Sequence, residues 1–344
     1  MRATIRDVAR EADVSIATVS RVLNESGPVK PATRERVLAA AARLRYSPSS
    51  AARSLITRQT KTLGVLLPDL YGEFFSELIR GIDRVAREAG YHILVSTSHN
   101  QRPEVEAALQ AMRGRVDGLI VMAPDRDVDE LAALLAKPLP TVLLNQRTVD
   151  GGPVNRINID NEGGARALVE HLVEAGHRRI ALIGGPAANL DAEARRRGYR
   201  AALEAAGLPV VPELEFHGDF TEAGGHEAAQ ALLRLEERPT AVFAANDAMA
   251  IGALHAFVEA GLTIPADVSL AGFDDIPMAR YLRPSLTSVR VPIQELGSRA
   301  TARLLELLAG EADDEAWDVV LPTELVVRAS SGAPRSPKKD AVHV

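Results

Sequence analysis

Apolar positions along this chain change period near residue 60. Before that point they recur at helical spacing. In TIRDVAREA, residues Ile5, Val8, Ala9 and Ala12 fall on one stripe, with Thr4 as the cap. VSIATVSRVLNE starts a second helix at the cap Ser15 and turns Val19, Val22 and Leu23 inward. KPATRERVLAAAARLRY predicts a third, with Pro31 in its first turn and a stripe through Val37, Ala41 and Leu44. Only ADV separates the first two helices, which is the spacing of a helix-turn-helix. In YSPSSAARSLITRQTK, Pro48 interrupts the pattern and SSAARSLI allows about two helical turns. A helix that short is unstable alone in water, so it is expected to form only where something packs on it.

From Lys61 the pattern becomes strand and helix in alternation. The runs LGVLLPD (63–69), YHILVSTS (91–98), DGLIVMAP (117–124), TVLLNQ (141–146), RIALIGGP (179–186), TAVFAAND (240–247) and VSLAGFDD (268–275) read as buried strands. Amphipathic stretches such as FFSELIRGIDRVAREAG, RALVEHLVEAGH and ALHAFVEAGL lie between them. Near-continuous apolar strands between helices predict parallel sheets covered on both faces. Each half repeats the order of strand, helix ending in EAG, and strand, so two α/β lobes are expected rather than one sheet of ten or more strands. Ligands of such lobes bind beyond the carboxyl ends of the strands.

Charge sharpens this division. The chain of 344 residues carries −6 overall, but residues 1–60 hold eleven Lys or Arg against five Asp or Glu, a net of +6 that leaves −12 for the rest. A basic head on an acidic body points the head toward a polyanion. The chain has no cysteine, which excludes disulfides, iron–sulfur clusters and thiol catalysis and fits the cytosol. No apolar run reaches the roughly 18 residues a membrane span needs, and MRATIRDVAREADV is too charged for a secretory signal. Cytoplasmic location without membrane contact is the expectation.

TIRDVAREADVSIATVSRVLN, SSAARSL, DGLIV, GHRRIALIGGP, RRRGYRAAL, PTAVFAANDAMAIGAL and VSLAGFDD, in this order, resemble the LacI/GalR family of bacterial transcriptional regulators over residues 4 to about 328. The resemblance implies an α/β fold class with a helix-turn-helix head (1–47), a hinge segment (48–60) and a two-lobed body like periplasmic sugar-binding proteins (61–330). Three strand crossovers are expected near residues 160, 290 and 323. They would divide the body into lobe 1 (61–160 plus 291–322) and lobe 2 (161–290 plus 323–330), before a disordered tail (331–344). It further implies a homodimer bound to a pseudo-palindromic double-stranded DNA operator, with affinity set by a small-molecule effector.

In a helix-turn-helix the second helix lies in the major groove with its first residues at base edges. Here those are Ser15, Ile16, Ala17 and Thr18, followed by Ser20 and Arg21. Ile16 and Ala17 suit thymine methyls, and Arg21 can fork onto guanine; the resemblance makes these three the base readers. Thr4, Ser15, Ser20 and Asn24 are expected at phosphates. By the same resemblance Leu55 wedges into the minor groove, with Ala51 and Ala52 against its floor.

For the effector, planar hydrogen-bonding groups follow the strands: Asp69, Asn145, Asn246 with Asp247, and Asp274 with Asp275. One of Asn246 and Asp247 is expected to cap the next helix, and one of Asp274 and Asp275 to turn the chain. By resemblance Arg195 grips the effector and Phe220 stacks on it. Phe74 and Phe75 open a helix on the other lobe and are expected to close over the ligand, with the core as the alternative for Phe75. Asp160, at a crossover, is expected on the floor. Ala248 is apolar where some relatives are polar. A neutral sugar is the preferred effector, with a sugar phosphate, nucleobase or nucleoside, or a partner protein as alternatives. Inducer and corepressor action both remain open.

No GxxxxGK, GxGxxG or GxSxG occurs, so catalysis and cofactors are not expected. HEAAQ begins like HExxH, but Gln230 replaces the second histidine, so it is read as no zinc site and no metal is expected. A sugar-binding protein that ignores DNA fits the body but not the basic head.

Overall fold

The computed structural model describes residues 3–24, 27–46, 59–99, 101–123, 139–146, 155–312 and 317–335. The expected hinge contacts Ala51, Ala52 and Leu55 lie outside these residues, as does the side chain of Asn24.

The N-terminal unit contains α1 (Ile5–Glu11), α2 (Ile16–Asn24) and α3 (Pro31–Arg43). Asp7 closes the first turn of α1 by accepting from the Thr4 N–H at 2.9 Å and the Thr4 hydroxyl at 2.7 Å. Those bonds hold the Asp7 carboxyl below its ordinary value. Asp13 makes the turn at φ 50°, a left-handed conformation that aspartate tolerates. Ser15 then caps α2, its Oγ accepting from the Thr18 N–H at 3.1 Å. Val8, Ala9, Ala12, Val19, Val22, Val37, Ala40 and Ala41 form the core. Ile5, Leu23 and Leu44 reach only its margin, because three short helices bury one narrow stripe each.

Beyond Thr62 the chain forms β1 (Thr62–Leu67), α4 (Glu73–Glu88), β2 (His92–Thr97), α5 (Arg102–Met112), β3 (Gly118–Met122), β4 (Thr141–Leu144) and β5 (Arg156–Ile159). It continues with α6 (Asn161–Glu174), β6 (Ile180–Gly184), α7 (Leu190–Ala205), β7 (Glu215–His217) and α8 (Glu222–Leu233). Next come β8 (Ala241–Ala244), α9 (Asp247–Glu259), β9 (Ser269–Asp274) and β10 (Thr287–Arg290). The last elements are α10 (Ile293–Ala309), β11 (Asp318–Leu321) and β12 (Glu324–Val326).

These strands build two sheets, ordered β11-β5-β4-β3-β1-β2 and β12-β10-β9-β8-β6-β7. β11, β5, β4, β3 and β1 pair in parallel, as do β10, β9, β8, β6 and β7, whereas β12 runs antiparallel to β10. The chain leaves the first sheet after β5, returns to it after β10, and crosses once more between β11 and β12. Strands β3, β6 and β9 are buried at every residue, as their unbroken apolar runs require. Strands β5, β7, β10, β11 and β12 were not among the apolar runs. Each is three or four residues long and lies at a sheet edge or one strand from it, where the apolar signal is weakest.

The expectation of a disordered tail from residue 331 does not hold for residues 331–335. His177 is fully buried, and burial lowers its pKa, so the neutral ring must find both a donor and an acceptor. Its Nε2 lies 2.8 Å from the Gly332 carbonyl and its Nδ1 2.9 Å from the Thr240 hydroxyl. Arg335 pairs with Asp267 on the surface. The remainder of the expected tail lies outside the described residues.

Candidate functional site

Strand ends of both sheets face one cavity of about 190 Å³. Of the expected effector residues, Asp69, Phe74, Phe75, Arg195, Phe220, Asn246 and Asp274 line it. Three helices of the second lobe begin at its wall, and their caps are lining residues. Asn189 caps α7, Thr221 caps α8 and Asn246 caps α9, each accepting from first-turn N–H groups at 2.9–3.1 Å.

Arg195 holds the centre. Its side chain is 5% exposed. Nε donates to Asn161 Oδ1 at 2.8 Å, Nη1 donates to the Ala245 carbonyl, and Nη2 lies 3.1 Å from Asp274 Oδ1. The guanidinium carbon stands 3.9 Å from the Phe273 ring centre and 5.9 Å from that of Phe220. A planar, weakly hydrated cation stacked on aromatic faces and bound at its edge is what guanidinium chemistry favours in a buried site. Burial nevertheless pushes the Asp274 carboxyl up to about 6, with Arg195 opposing the shift and Asp191 adding to it.

Asp191 links the lobes. Its two oxygens accept from Asn145 Nδ2 and Asn161 Nδ2, both at 2.8 Å. Asn145 follows β4 of the first lobe, so it serves as a strut between lobes and does not line the cavity. Two further bridges cross the mouth. The Tyr71 hydroxyl donates to Glu222 Oε2 at 2.9 Å, which raises the Tyr71 pKa, and the Met278 N–H donates to Glu73 Oε2 at 2.9 Å.

Asp160 departs from its expected place on the floor. It is exposed and caps α6, accepting from the Gly163 N–H at 2.9 Å. The inward position belongs to its buried neighbour Asn161, because the first helical turn carries successive side chains to different faces. Of the adjacent pair, Asn246 caps α9 and faces the cavity, and its Nδ2 donates to the Phe220 carbonyl at 3.0 Å. Asp247 is fully buried, accepts from Ile276 N–H at 2.9 Å and Ser288 Oγ at 2.7 Å, and burial raises its pKa well above the ordinary value. Asp275 pairs with Arg290 at 2.9 Å and Arg328 at 2.6 Å and is not a lining residue. Phe74 and Phe75 pack edge to face at 5.4 Å against the core margin and line the cavity. Ala248 contributes an apolar wall.

Backbone strain collects here. Asn145, Phe220 and Asp274 have φ of 52°, 68° and 104°, values that cost non-glycine residues energy and that cluster at binding sites. Gly185 makes room for one of them: an added Cβ would collide with the Phe220 ring. Gly185→Ala is expected to cost about 1–3 kcal/mol of stability through overpacking and to tilt Phe220 into the cavity. Urea unfolding measures it; an unchanged midpoint would show that Phe220 moves aside without cost.

Sequence reasoning missed Asn161, Asn189, Asp191, Thr221, Tyr71 and Gly185. Asn189 and Thr221 carried a cap signal, but nothing told caps that face a cavity from caps that face water. Asp191 resembles any acidic first-turn residue.

On the head, Val19 and Val22 of α2 are buried while Ala17 and Arg21 are exposed. Ile16 is 45% exposed at the start of the helix. Thr18 and Ser20 are half-buried at the edge of that face. The Thr4 and Ser15 hydroxyls meet Asp7 and Thr18, so both are already ordered by helix caps.

A helix-turn-helix unit joined in one chain to a bilobed α/β body with an interlobe cavity defines a ligand-responsive DNA-binding regulator. Residues 4–49 match the bacterial regulatory proteins, lacI family, and residues 169–331 match the periplasmic binding protein-like domain. The chain is 37% identical to catabolite control protein A of Priestia megaterium, over 96% of this chain and 100% of that protein. It is 38% identical to the HTH-type transcriptional repressor PurR of Yersinia pestis (strain Pestoides F), over 95% of this chain and 96% of that protein. The lac repressor dimer bound to operator and the anti-inducer ONPF superposes with a TM-score of 0.87 at 34% identity, covering 97% of this chain and 100% of that one. The transcriptional regulator CelR–cellobiose complex does so with a TM-score of 0.73 at 34% identity, covering 96% and 100%. The chain belongs to the LacI family of bacterial transcriptional regulators. Among the described residues, no helix is long and apolar enough to cross a membrane.

Proposed function

We propose that α2 enters the DNA major groove with Ile16, Ala17, Thr18 and Arg21 at base edges. Thr4, Ser15, Ser20 and Asn24 then lie along phosphates, and Ala52 and Leu55 meet the minor groove. Two chains grip a two-fold operator as a homodimer in the cytoplasm, and the chain works by binding, without catalysing a reaction. The observation that carries this reading is Ile16, a β-branched hydrophobe left 45% exposed one turn before buried Val19. An isolated head gains nothing from it, whereas a groove lined with thymine methyls does. The lac repressor structure, a dimer bound to operator, supports the two-fold arrangement. The division into head (1–47), hinge (48–60) and body (61–330) remains part of this proposal.

The charge of the described cavity wall supports a reading of the effector class. Among the described residues, Asp69, Glu73, Asp191, Asp219 and Asp274 line it against one cation, Arg195, which already serves Asn161, Ala245 and Asp274. Such a lining repels phosphate and welcomes hydroxyl donors, while Phe74, Phe75 and Phe220 offer ring faces. A neutral sugar fits better than a sugar phosphate.

Arg21→Ala tests the groove assignment against a duplex selected from a random pool. Fluorescence anisotropy should show a loss of about 1–3 kcal/mol, with relaxed preference at one base pair. Equal loss across all duplexes would turn Arg21 into a phosphate contact and defeat the reading.

A further inference from the structure

Away from the cleft, helices α8 and α9 pack unusually close. Gly225 and Gly252 allow it: an added Cβ at Gly225 would strike the Met249 backbone, and one at Gly252 the Glu222 carbonyl oxygen. This approach brings side chains beyond the glycines together across the helix pair. His226 on α8 meets His255 and Glu259 on α9, where the spacing of four residues puts both on one face. His226 Nε2 lies 2.9 Å from Glu259 Oε2, and His255 Nε2 lies 3.4 Å from Glu259 Oε1. The imidazole centres are 5.5 Å apart with their planes 33° from each other.

We propose that His226, His255 and Glu259 form a binding site for a borderline divalent transition-metal ion such as Zn²⁺. Tetrahedral zinc with ligand bonds of about 2.0–2.1 Å keeps its donor atoms roughly 3.3 Å apart. The two nitrogen-to-carboxylate separations, one to each Glu259 oxygen, straddle that figure, and one donor atom from each residue lies within 4.8 Å of the others. Two imidazoles with one carboxylate select zinc, cobalt, nickel or copper over calcium or magnesium, which prefer oxygen. Side-chain exposures of 28%, 67% and 54% leave the fourth position to water and make entry simple.

The HEAAQ stretch is thus no zinc motif by itself. Its missing partners come from the next helix. Because α8 and α9 begin at Thr221 and Asn246, which line the cavity, an ion here would clamp the two helices that carry part of the cleft wall.

The experiment uses the full-length chain without a histidine tag. Zn²⁺ is titrated in competition with a chromophoric chelator, and Tm is measured with and without ZnCl₂. Co²⁺ absorption reports a four-coordinate site. Wild type is expected to bind about one equivalent and to melt higher with zinc, since an ion bound to the folded state stabilises it. His255→Ala, His226→Ala and Glu259→Gln should each weaken binding by more than the about 10–100-fold typical of losing an outer-shell partner. They should also abolish the four-coordinate Co²⁺ bands. All three positions are solvent-accessible, so metal-free Tm should stay at the wild-type value and separates lost binding from lost folding. Unchanged affinity in the two histidine variants, or in Glu259→Gln alone, overturns the three-ligand site.

Discussion

Arg195→Ala is expected to destabilise the body by about 3–5 kcal/mol, the cost of breaking a buried ion pair from one side. Removing the guanidinium strips Asp274 of its counter-charge and Asn161 and the Ala245 carbonyl of their donor. It also leaves a gap against the Phe273 ring, 3.9 Å away. Arg195→Lys should recover only part of the loss, because a single ammonium cannot reach three acceptors set around a planar fork. The double variant Arg195→Met with Asp274→Asn should recover part of it, since no charge is then left unpaired and asparagine tolerates the positive φ at 274. Urea unfolding followed by circular dichroism checks the series. A double variant no more stable than Arg195→Ala would mean that packing on Phe273, rather than charge, holds the centre. Ligand-dependent thermal stabilisation should be absent in all three, because each alters the cavity wall.

The second large effect is in pH. Asp274 has an ordinary pKa of 3.8 and one of about 6 in the folded chain, raised mainly by burial. Between those values the folded state holds a proton that the unfolded state has released, so stability falls as pH rises through this window. At about 1.4 kcal/mol per unit, the contribution is about 3 kcal/mol, fully lost above pH 6 and fully present below pH 4. Asp247, shifted in the same direction by burial, adds to the same slope. Asp274→Asn should therefore flatten the dependence of the urea midpoint on pH between 4 and 6. Lines for wild type and variant that stay parallel would show that Asp274 does not titrate there. Arg195→Ala should move the window upward, since the guanidinium is what opposes the shift.

Legibility in the sequence followed the length scale of each signal. The three head helices, their caps and the buried strands depend on neighbours within a few residues, where spacing and side-chain type decide the outcome. Ser15 was read correctly as a cap because its Oγ accepts from an N–H three positions ahead, and Thr4 stands at the N-cap of α1, where Asp7 accepts from its N–H. Asp160 shows the limit of that reading. A cap and a cavity group look alike in sequence, and one residue of helical rotation separated exposed Asp160 from buried Asn161. The pair Asn246 and Asp247 is the same problem, left open in the sequence and divided by the fold into cavity wall and core.

Composition and periodicity determined by themselves that a small basic helical head precedes an acidic body of alternating strands and helices, and that polar groups stand at the strand ends. Only the tertiary structure decided which of those groups meet. Asn145 and Asp191 are 46 residues apart yet share a 2.8 Å bond, and His226 finds its neighbours 29 and 33 residues on. Helical and strand periods encode which face a residue takes, whereas the distance between two faces depends on how the elements pack, here through contacts such as Gly225 and Gly252 that leave no trace in local pattern.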